Sequence, residues 1–321
     1  MDAELVGRLQ QISQELYGWG SLTIFFIGTI GNLLDIILFI RLESLNTLAS
    51  SLFLLASFFG SQCVMFTATL LRIVFGLTGF DPLFASLFLC KVRWMIGPAS
   101  GAFSLTCVCL AVIDRYLLIR SHYHRQFTLN QARILILFAA LFWLSFFSMY
   151  AVYFLAPTSG SCRLVNPIMI QLMPFISLFV YNVIPISVLS LLCFLIWHTL
   201  GQLPSTYLHD GHRLHDQVTR MIIAQILVVI LTSTPSACYS IYTISTRTIS
   251  KNQYRLAVEN LVNTVCVLIG FLTHSMMFYV YLIASPHFRR SIKIMFAASY
   301  DRLIRLIERC RVHPRVIFPT V

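Results

Sequence analysis

Residues 90–116 read CKVRWMIGPASGAFSLTCVCLAVIDRY, and the charged residues of this stretch lie only near its two ends. Between Arg93 and Asp114 the chain has 20 consecutive residues without Asp, Glu, Lys or Arg. A helix rises about 1.5 Å per residue, so 20 residues cover the roughly 30 Å hydrocarbon core of a bilayer. The stretch therefore predicts a transmembrane helix with charged residues at both ends.

Six further stretches have the length and composition of a membrane span. They are 16–34, extended past Asp35 to residue 40, then 44–71, 134–162, 164–209, 221–246 and 260–288. Of the 321 residues, 58% are hydrophobic and 11% are charged, against roughly 45–50% and 25% in soluble proteins. The sequence predicts an all-α membrane protein, a bundle of seven transmembrane helices with a short amphipathic helix after the seventh span.

The distribution of basic residues predicts how the chain is oriented. Lys and Arg accumulate on the cytoplasmic side of a membrane. With the N-terminus outside, the inner segments carry 15 of the 23 basic residues and the outer segments carry 8. We expect a multi-pass protein of the plasma membrane with an extracellular N-terminus. This orientation also places Cys90 and Cys162 on the oxidising side, where a disulfide persists.

Three regions follow from this topology. We expect an extracellular N-terminus at 1–19, the seven-span domain at 20–285, and a cytoplasmic amphipathic helix with a basic tail at 286–321. In FRRSIKIMF, residues 288–296, one helical face carries Phe288, Ile292 and Met295 and the other is basic. This helix is expected to lie along membrane lipid. Cys310, close to basic residues, is either an acylation site or an ordinary free thiol.

The third stretch ends in Asp114, Arg115 and Tyr116, which admit two interpretations. An arginine at a membrane boundary needs a partner, and the neighbouring aspartate can supply one that is later released, which makes the pair a switch. Alternatively, the residues are only a charged end of a helix. Cys90 precedes Arg115 by 25 positions, or about 37 Å of helix, which is one crossing of the bilayer.

In the order of its features, the chain resembles the rhodopsin-like family of G-protein-coupled receptors. The resemblance runs through nearly the whole sequence. It is carried by Gly31-Asn32, Cys90, Asp114-Arg115-Tyr116, Trp143, Cys162, Pro185, Pro235, Tyr281 and Ser285-Pro286-His287-Phe288-Arg289. Each feature alone is weak, whereas their order and spacing across the spans are specific.

The resemblance implies a receptor that binds an extracellular ligand and activates a heterotrimeric G protein by rearranging its helices. It implies a disulfide between Cys90 and Cys162. It further implies that the switch and G-protein coupling residues are Asp114, Arg115, Tyr116 and Tyr281. A proline in a membrane helix frees a carbonyl and kinks the helix, so Pro185 and Pro235 are either pivots or static kinks.

Several positions depart from the family pattern. The family has an acid in the second span and an Asn-Pro pair before the seventh-span tyrosine, which together hold a sodium ion. Here those positions are occupied by Phe59, Met277 and Phe278, so we expect no sodium site. Asn32 and Asp35 are then the candidate interior polar residues of the first span, although Asp35 can also be a boundary acid.

Two further departures affect activation. Ser233 and Cys193 replace aromatic residues that the family associates with activation of spans six and five. A non-signalling or constitutively active seven-helix protein is therefore the alternative to a ligand-activated receptor.

The pocket positions exclude two ligand classes. Where aminergic relatives carry an aspartate, the chain has Gly97, so a buried amine would lack a counter-ion. Where visual pigments carry the lysine that binds retinal, it has Phe271. The candidate ligand residues are Arg72, Arg93, Trp94, Gly97 and Glu259. They favour a peptide or a small anionic or apolar ligand, unless the basic residues and Trp94 are only anchors at the lipid headgroups.

Other functions find little support in the sequence. The basic residues are spread between apolar blocks, which argues against a nucleic-acid partner. There is no His-Glu-x-x-His motif, and no cysteine or cluster of acids completes the set His209, His212 and His215. We therefore expect no enzyme activity, no metal and no cofactor. A transporter or channel would need more ionisable groups inside the spans than Asp35 and His274.

Overall fold

A computed structural model of the chain describes residues 2–41, 48–80, 86–121, 126–155, 162–164, 166–202, 213–286 and 288–297. Among these residues, seven helices are long and apolar enough to cross a membrane, which confirms the predicted number. We number the spans one to seven in chain order. They are Glu4–Arg41, Ala49–Thr78, Leu87–Arg120, Leu129–Val152, Pro167–Thr199, Thr219–Ser245 and Gln253–Ser275. The protein is an all-α, seven-helix membrane bundle.

Several spans consist of more than one helical piece. The α-helices are Asp2–Glu15, Ser21–Arg41, Ala49–Val64, Leu70–Thr78, Leu87–Arg120, Leu129–Tyr153, Pro167–Leu178, Ile184–Gln202, Arg213–Ser245, Gln253–Ser275 and Met277–Ala284. Wider π-helical turns interrupt spans one, two and five at Leu16–Gly20, Met65–Thr69 and Phe179–Val183. Such turns shift the register of the side chains that follow, and they are frequent at functional sites.

Burial separates the central helix from the peripheral ones. In the most apolar 18-residue window of each span, 56% of span three is buried but only 17% of span four. Span four instead exposes large side chains such as Phe138 and Leu141, which face the hydrocarbon of the membrane. Because lipid and protein interior are both apolar, the spans are apolar on all sides. Span three therefore forms the centre around which the other helices pack.

The N-terminal segment is helical, a feature that the sequence analysis did not anticipate for residues 1–19. The helix begins at Asp2 and continues into span one. Ser13 Oγ lies 2.9 Å from Thr264 Oγ1, so the segment packs against span seven. Gly18 and Gly76 bring spans one and two into backbone contact, since a Cβ added at Gly76 would lie 2.3 Å from the Gly18 Cα. The segment is thus part of the bundle.

Span seven breaks at Met276, at the place where the family's Asn-Pro pair is missing. One helix ends at Ser275 and the next begins at Met277. Asn32 of span one donates from Nδ2 to the backbone carbonyl of His274, at 3.1 Å. A hydrogen bond from a side chain satisfies a carbonyl at the end of a helix. The break in span seven therefore forms without a proline.

Two short strands and a disulfide lie at the end of the bundle that holds Cys90. The strands Phe154–Leu155 and Arg163–Leu164 pair antiparallel, with Phe154 opposite Leu164. Cys90 and Cys162 form a disulfide, and their Cα atoms are 5.8 Å apart. Cys162 and the short strand that follows it are therefore held against the first turn of span three.

The amphipathic pattern after span seven forms the predicted helix over 288–297. Phe288 and Ile292 are buried, whereas Arg289, Arg290 and Lys293 are exposed. The backbone N–H of Phe288 donates to Ser285 Oγ, and Arg289 Nη1 donates to the carbonyl of Leu282 at the end of the preceding helix. These contacts fix the angle between the two helices.

Candidate functional site

A cavity of about 280 Å³ opens between five of the spans. Spans three and seven contribute most of the described wall, six residues each, and those of span three lie mostly in the half of that helix that begins at the disulfide. The lining residues are Val64, Ala68 and Arg72; Arg93, Trp94, Gly97, Pro98, Gly101 and Leu105; Ser177, Tyr181 and Asn182; Ser233 and Ser236; and Cys266, Val267, Gly270, Phe271, Thr273 and His274. Spans two, three, five, six and seven all meet here.

Positions that the sequence analysis selected for separate reasons converge on this cavity. Gly97 argues against an amine ligand and Phe271 against retinal, and both residues line the cavity. Ser233, which stands where an aromatic residue was expected in span six, lines it as well. A Cβ added at Gly97 would lie 3.3 Å from Thr67 Oγ1, so the missing side chain lets span two approach closely. The cavity therefore brings together the positions that argue against an amine ligand and against retinal.

One end of the cavity is positively charged. The Arg72 Cζ atom lies 4.9 Å from the Tyr17 ring centroid and 5.0 Å from that of Phe271. Aromatic faces attract a guanidinium through their quadrupole but do not cancel its charge. Arg72 Nε is buried and has no hydrogen-bond partner within the described parts of the chain. Arg93, over the ring of Trp94 at 5.7 Å, adds a second cation.

The structure does not support Glu259 as a ligand residue, because it is not among the residues that line the cavity. Its carboxylate accepts from Lys251 Nζ at 2.6 Å, from Arg255 Nε at 3.0 Å and from the Tyr242 hydroxyl at 2.8 Å. Arg255 and Glu259 are four residues apart on one helix, a spacing at which opposite charges pair. Glu259 joins spans six and seven near the loop between them.

A hydroxyl network lies beneath the cavity and was missed at the sequence level. His274 Nδ1 is 3.2 Å from Ser61 Oγ, and Ser61 Oγ is 2.9 Å from Ser104 Oγ. Ser104 Oγ is also 3.0 Å from Ser57 Oγ. Ser57 and Ser61 are four positions apart, so the helical period places both on one face, and that spacing was the available indication. His274 is a buried residue that is hydrogen-bonded to this network.

Asp35 is an interior residue and not a boundary acid, because its side chain is fully buried. Neither carboxylate oxygen has a hydrogen-bond partner among the described residues. Three positions earlier, Asn32 is also buried and makes the bond to His274 described above. The two predicted interior polar residues are therefore both in place, but only Asn32 is hydrogen-bonded.

The position assigned to the missing second-span acid requires a correction. Phe59 is 50% exposed and faces away from the interior, whereas Phe58 is buried. Ser57 and Ser61 are the polar groups that this part of span two directs inward. The error arose because lipid-facing and interior residues are equally apolar here, so the sequence does not reveal the register.

The cluster around Arg115 occupies the opposite end of span three. Asp114 and Arg115 are fully buried, and their side chains converge on Ser50 of span two. Arg115 donates to Ser50 Oγ from Nε, at 2.8 Å, and from Nη2. Asp114 accepts from the backbone N–H of Ser50 at 3.1 Å and from that of Phe127 at 2.9 Å. The predicted pair is thus held through Ser50, a residue that the sequence analysis did not single out.

The two tyrosines of the predicted switch have different environments. The Tyr281 hydroxyl donates to Gln225 Oε1 of span six at 2.5 Å, and its ring packs against Phe58 and Phe288. Tyr281 is fully buried. The Tyr116 hydroxyl accepts from Arg120 Nη1 at 3.1 Å on the exposed side of span three. Tyr281 therefore links spans two, six and seven, whereas Tyr116 interacts with its own helix.

The predicted prolines lie at irregular points of the helices. Pro185 follows the π-helical turn Phe179–Val183, and Pro235 lies inside span six. Pro98 in span three and Pro174 in span five were not predicted as kink sites. The carbonyl of Pro98 accepts from the Tyr181 hydroxyl at 2.7 Å, which joins spans three and five beside the cavity.

Part of the predicted set lies beyond what the structure describes. Cys310, His209 and His212 fall outside the described residues, as does the side chain of His215. Within the described ranges, no group of three His, Cys, Asp or Glu residues could hold a metal ion.

The chain was also compared with known proteins. No protein-family model matches it, and no curated protein matches it.

Proposed function

We propose that this protein is a rhodopsin-like G-protein-coupled receptor, which binds an extracellular ligand in the cavity and activates a heterotrimeric G protein at its cytoplasmic face. The proposal includes an extracellular N-terminus and a plasma-membrane location. The observation that carries it is the placement of two polar sites on one central helix. Arg93 at the cavity and Arg115 in the buried cluster are 22 positions apart in span three, about 33 Å along the helix axis.

The contacts between the two sites give a route for coupling. His274 lines the cavity and meets Ser61, and Asn32 binds the carbonyl of His274 at the break in span seven. Beyond the break, Tyr281 binds Gln225 of span six. A ligand that fits one arrangement of these helices better than another shifts the population toward it. No covalent chemistry is required of the chain.

The contact between Ser50 and Arg115 supports an off state. A hydrogen bond to a charged group contributes about 1.5–3 kcal/mol, which corresponds to about a ten- to hundredfold change in an equilibrium. While Ser50 holds the guanidinium, Arg115 is fully buried and closed to a partner protein. Loss of this bond would favour the arrangement in which Arg115 is available to a G protein.

This reasoning gives a test that needs no ligand. Ser50→Ala removes the hydroxyl but keeps the backbone N–H that binds Asp114. Ser51→Ala is the matched control, because the neighbouring Ser51 is also buried and its hydroxyl has no hydrogen-bond partner in the described structure. Nucleotide exchange is measured in lipid nanodiscs on purified heterotrimers that represent each main class of Gα subunit.

The expected result is exchange about tenfold faster with Ser50→Ala than with the wild type, for at least one class of Gα. Ser51→Ala should match the wild type, and Arg115→Ala in the Ser50→Ala background should abolish the gain. If Ser50→Ala gives the rate of empty nanodiscs with every heterotrimer, this chain does not activate G proteins.

A further inference from the structure

We infer that the ligand of the cavity is a small amphipathic monocarboxylate, with its carboxylate at the end formed by Arg72 and Arg93. The inference rests on the proposed receptor function, because it names the chemical class of the ligand. It draws on the charge, the size and the lining of the cavity.

The charge of the residues that line the cavity favours an anionic ligand. Arg72 and Arg93 are among the cavity residues, and no Asp or Glu is. The buried Nε of Arg72 has no hydrogen-bond partner within the described residues. Burial of a charge is costly unless the charge is paired, and a carboxylate is the planar partner that a guanidinium fork binds best. A carboxylate in the cavity would lie close to both arginines and offset their charge.

The geometry around Arg72 supports this role. Tyr17 and Phe271 hold the guanidinium at 4.9 and 5.0 Å from their ring centroids. The rings interact with the guanidinium through their faces and do not cancel its positive charge. Tyr17 belongs to the N-terminal helical segment, so that segment helps to build the binding site.

The volume of the cavity limits the size of the ligand. About 280 Å³ lies just below the roughly 300–1,000 Å³ of typical small-molecule sites. A volume of this size suits a small acid with a short alkyl chain or one aromatic ring.

The remaining lining accommodates the body of such an acid. Apolar contacts come from Val64, Leu105 and Val267, and the ring of Phe271 adds a flat apolar surface. At the far end Ser233, Ser236 and His274 provide polar groups. These groups can distinguish acids that carry a second polar substituent, and His274 connects them to the hydroxyl network.

The experiment measures binding alone, in the absence of any G protein. Purified full-length protein in nanodiscs is heated with straight-chain acids from butyrate to dodecanoate and with phenylacetate, and in parallel with the corresponding neutral amides. The variants are Arg72→Gln and the matched control Lys91→Gln, since Lys91 is a cation of span three that does not line the cavity. Arg93→Gln serves if Arg72→Gln does not fold.

We expect at least one of these acids to raise the unfolding temperature of the wild type and of Lys91→Gln. The matching amide should bind at least tenfold more weakly, and Arg72→Gln should lose at least tenfold in affinity for the acid. Equal shifts with acid and amide, no shift with any acid, or full acid binding by both arginine variants would overturn the inference. None of these outcomes affects the exchange assay with Ser50→Ala, so the two proposals fail separately.

Discussion

Asp35 and Asn32 show how two buried polar residues of one helix can have opposite effects on stability. They are three positions apart in span one, and both are buried. Asn32 satisfies the carbonyl of His274 where span seven breaks. Asp35 has two buried oxygens with no hydrogen-bond partner in the described part of the chain. A buried polar group without a hydrogen bond costs about 1–3 kcal/mol, whereas a made bond is net favourable.

Matched substitutions at the two positions test this difference. Asp35→Val should raise the free energy of unfolding by about 1–2 kcal/mol, because it removes the unpaired group. Asn32→Val should lower it by about 1–3 kcal/mol, because it leaves the His274 carbonyl unpaired. Equilibrium unfolding in a mild detergent measures both. If Asp35→Val is the more destabilising change, the carboxyl has a partner that holds it, such as a bound ion or water.

At the scale of the element, one aromatic residue, Phe288, packs the amphipathic helix against the bundle. The Phe288 ring lies 5.8 Å from that of Tyr281 and 5.9 Å from that of Phe278. Phe296, at the far end of the same helix, is 54% exposed. The helix therefore has a buried anchor and an exposed residue of the same type, which form a natural pair for comparison.

Removal of the Phe288 anchor should destabilise the end of the bundle where this helix packs. Phe288→Ala should cost about 3–5 kcal/mol, the usual range for a buried phenylalanine. Phe296→Ala should change stability by less than about 0.5 kcal/mol, as exposed positions do. Thermal unfolding of the two variants in nanodiscs compares them directly. Equal effects would mean that the helix is held by lipid and not by Tyr281 and Phe278.

The same scale shows what the sequence could and could not predict. The number of spans was predictable because the thickness of the bilayer sets the length of an apolar helix. The helix at 288–297 was predictable because its two faces meet different surroundings. The break at Met276 was not predictable, because it depends on a hydrogen bond from Asn32, which lies on a helix distant in sequence. The register of Phe59 was not predictable either, because both sides of span two are apolar.

The candidate site also contains residues that the sequence could predict and residues that it could not. Four residues of the cavity were predictable, because charge, or its absence, near the end of a span is visible in the sequence. They are Arg72, Arg93, Trp94 and Gly97. Ser50, Ser57 and Ser61 were not selected because serine is common within membrane helices and small enough to seem neutral. Their roles appear only when a partner on another span is known.

For the whole molecule, span three connects the features on which the proposed function depends. It starts at the disulfide, lines the cavity, contributes Ser104 to the hydroxyl network and ends at Arg115. It is also the most buried of the seven spans by its apolar window. A displacement of the helices around this axis can therefore change both ends of the molecule together, as a population shift between two packed arrangements requires.

The central claim is that the cavity and the Arg115 cluster face opposite compartments, which places the two chain ends on opposite sides of the membrane. Single cysteines at Gly7→Cys and Lys293→Cys report this directly, because both positions are exposed and a side chain at Gly7 meets no neighbour within 4 Å. A membrane-impermeant maleimide should label Gly7→Cys on intact cells, and Lys293→Cys only after permeabilisation, above the wild-type background. Equal labelling of both on intact cells, or the reverse order, would contradict the account.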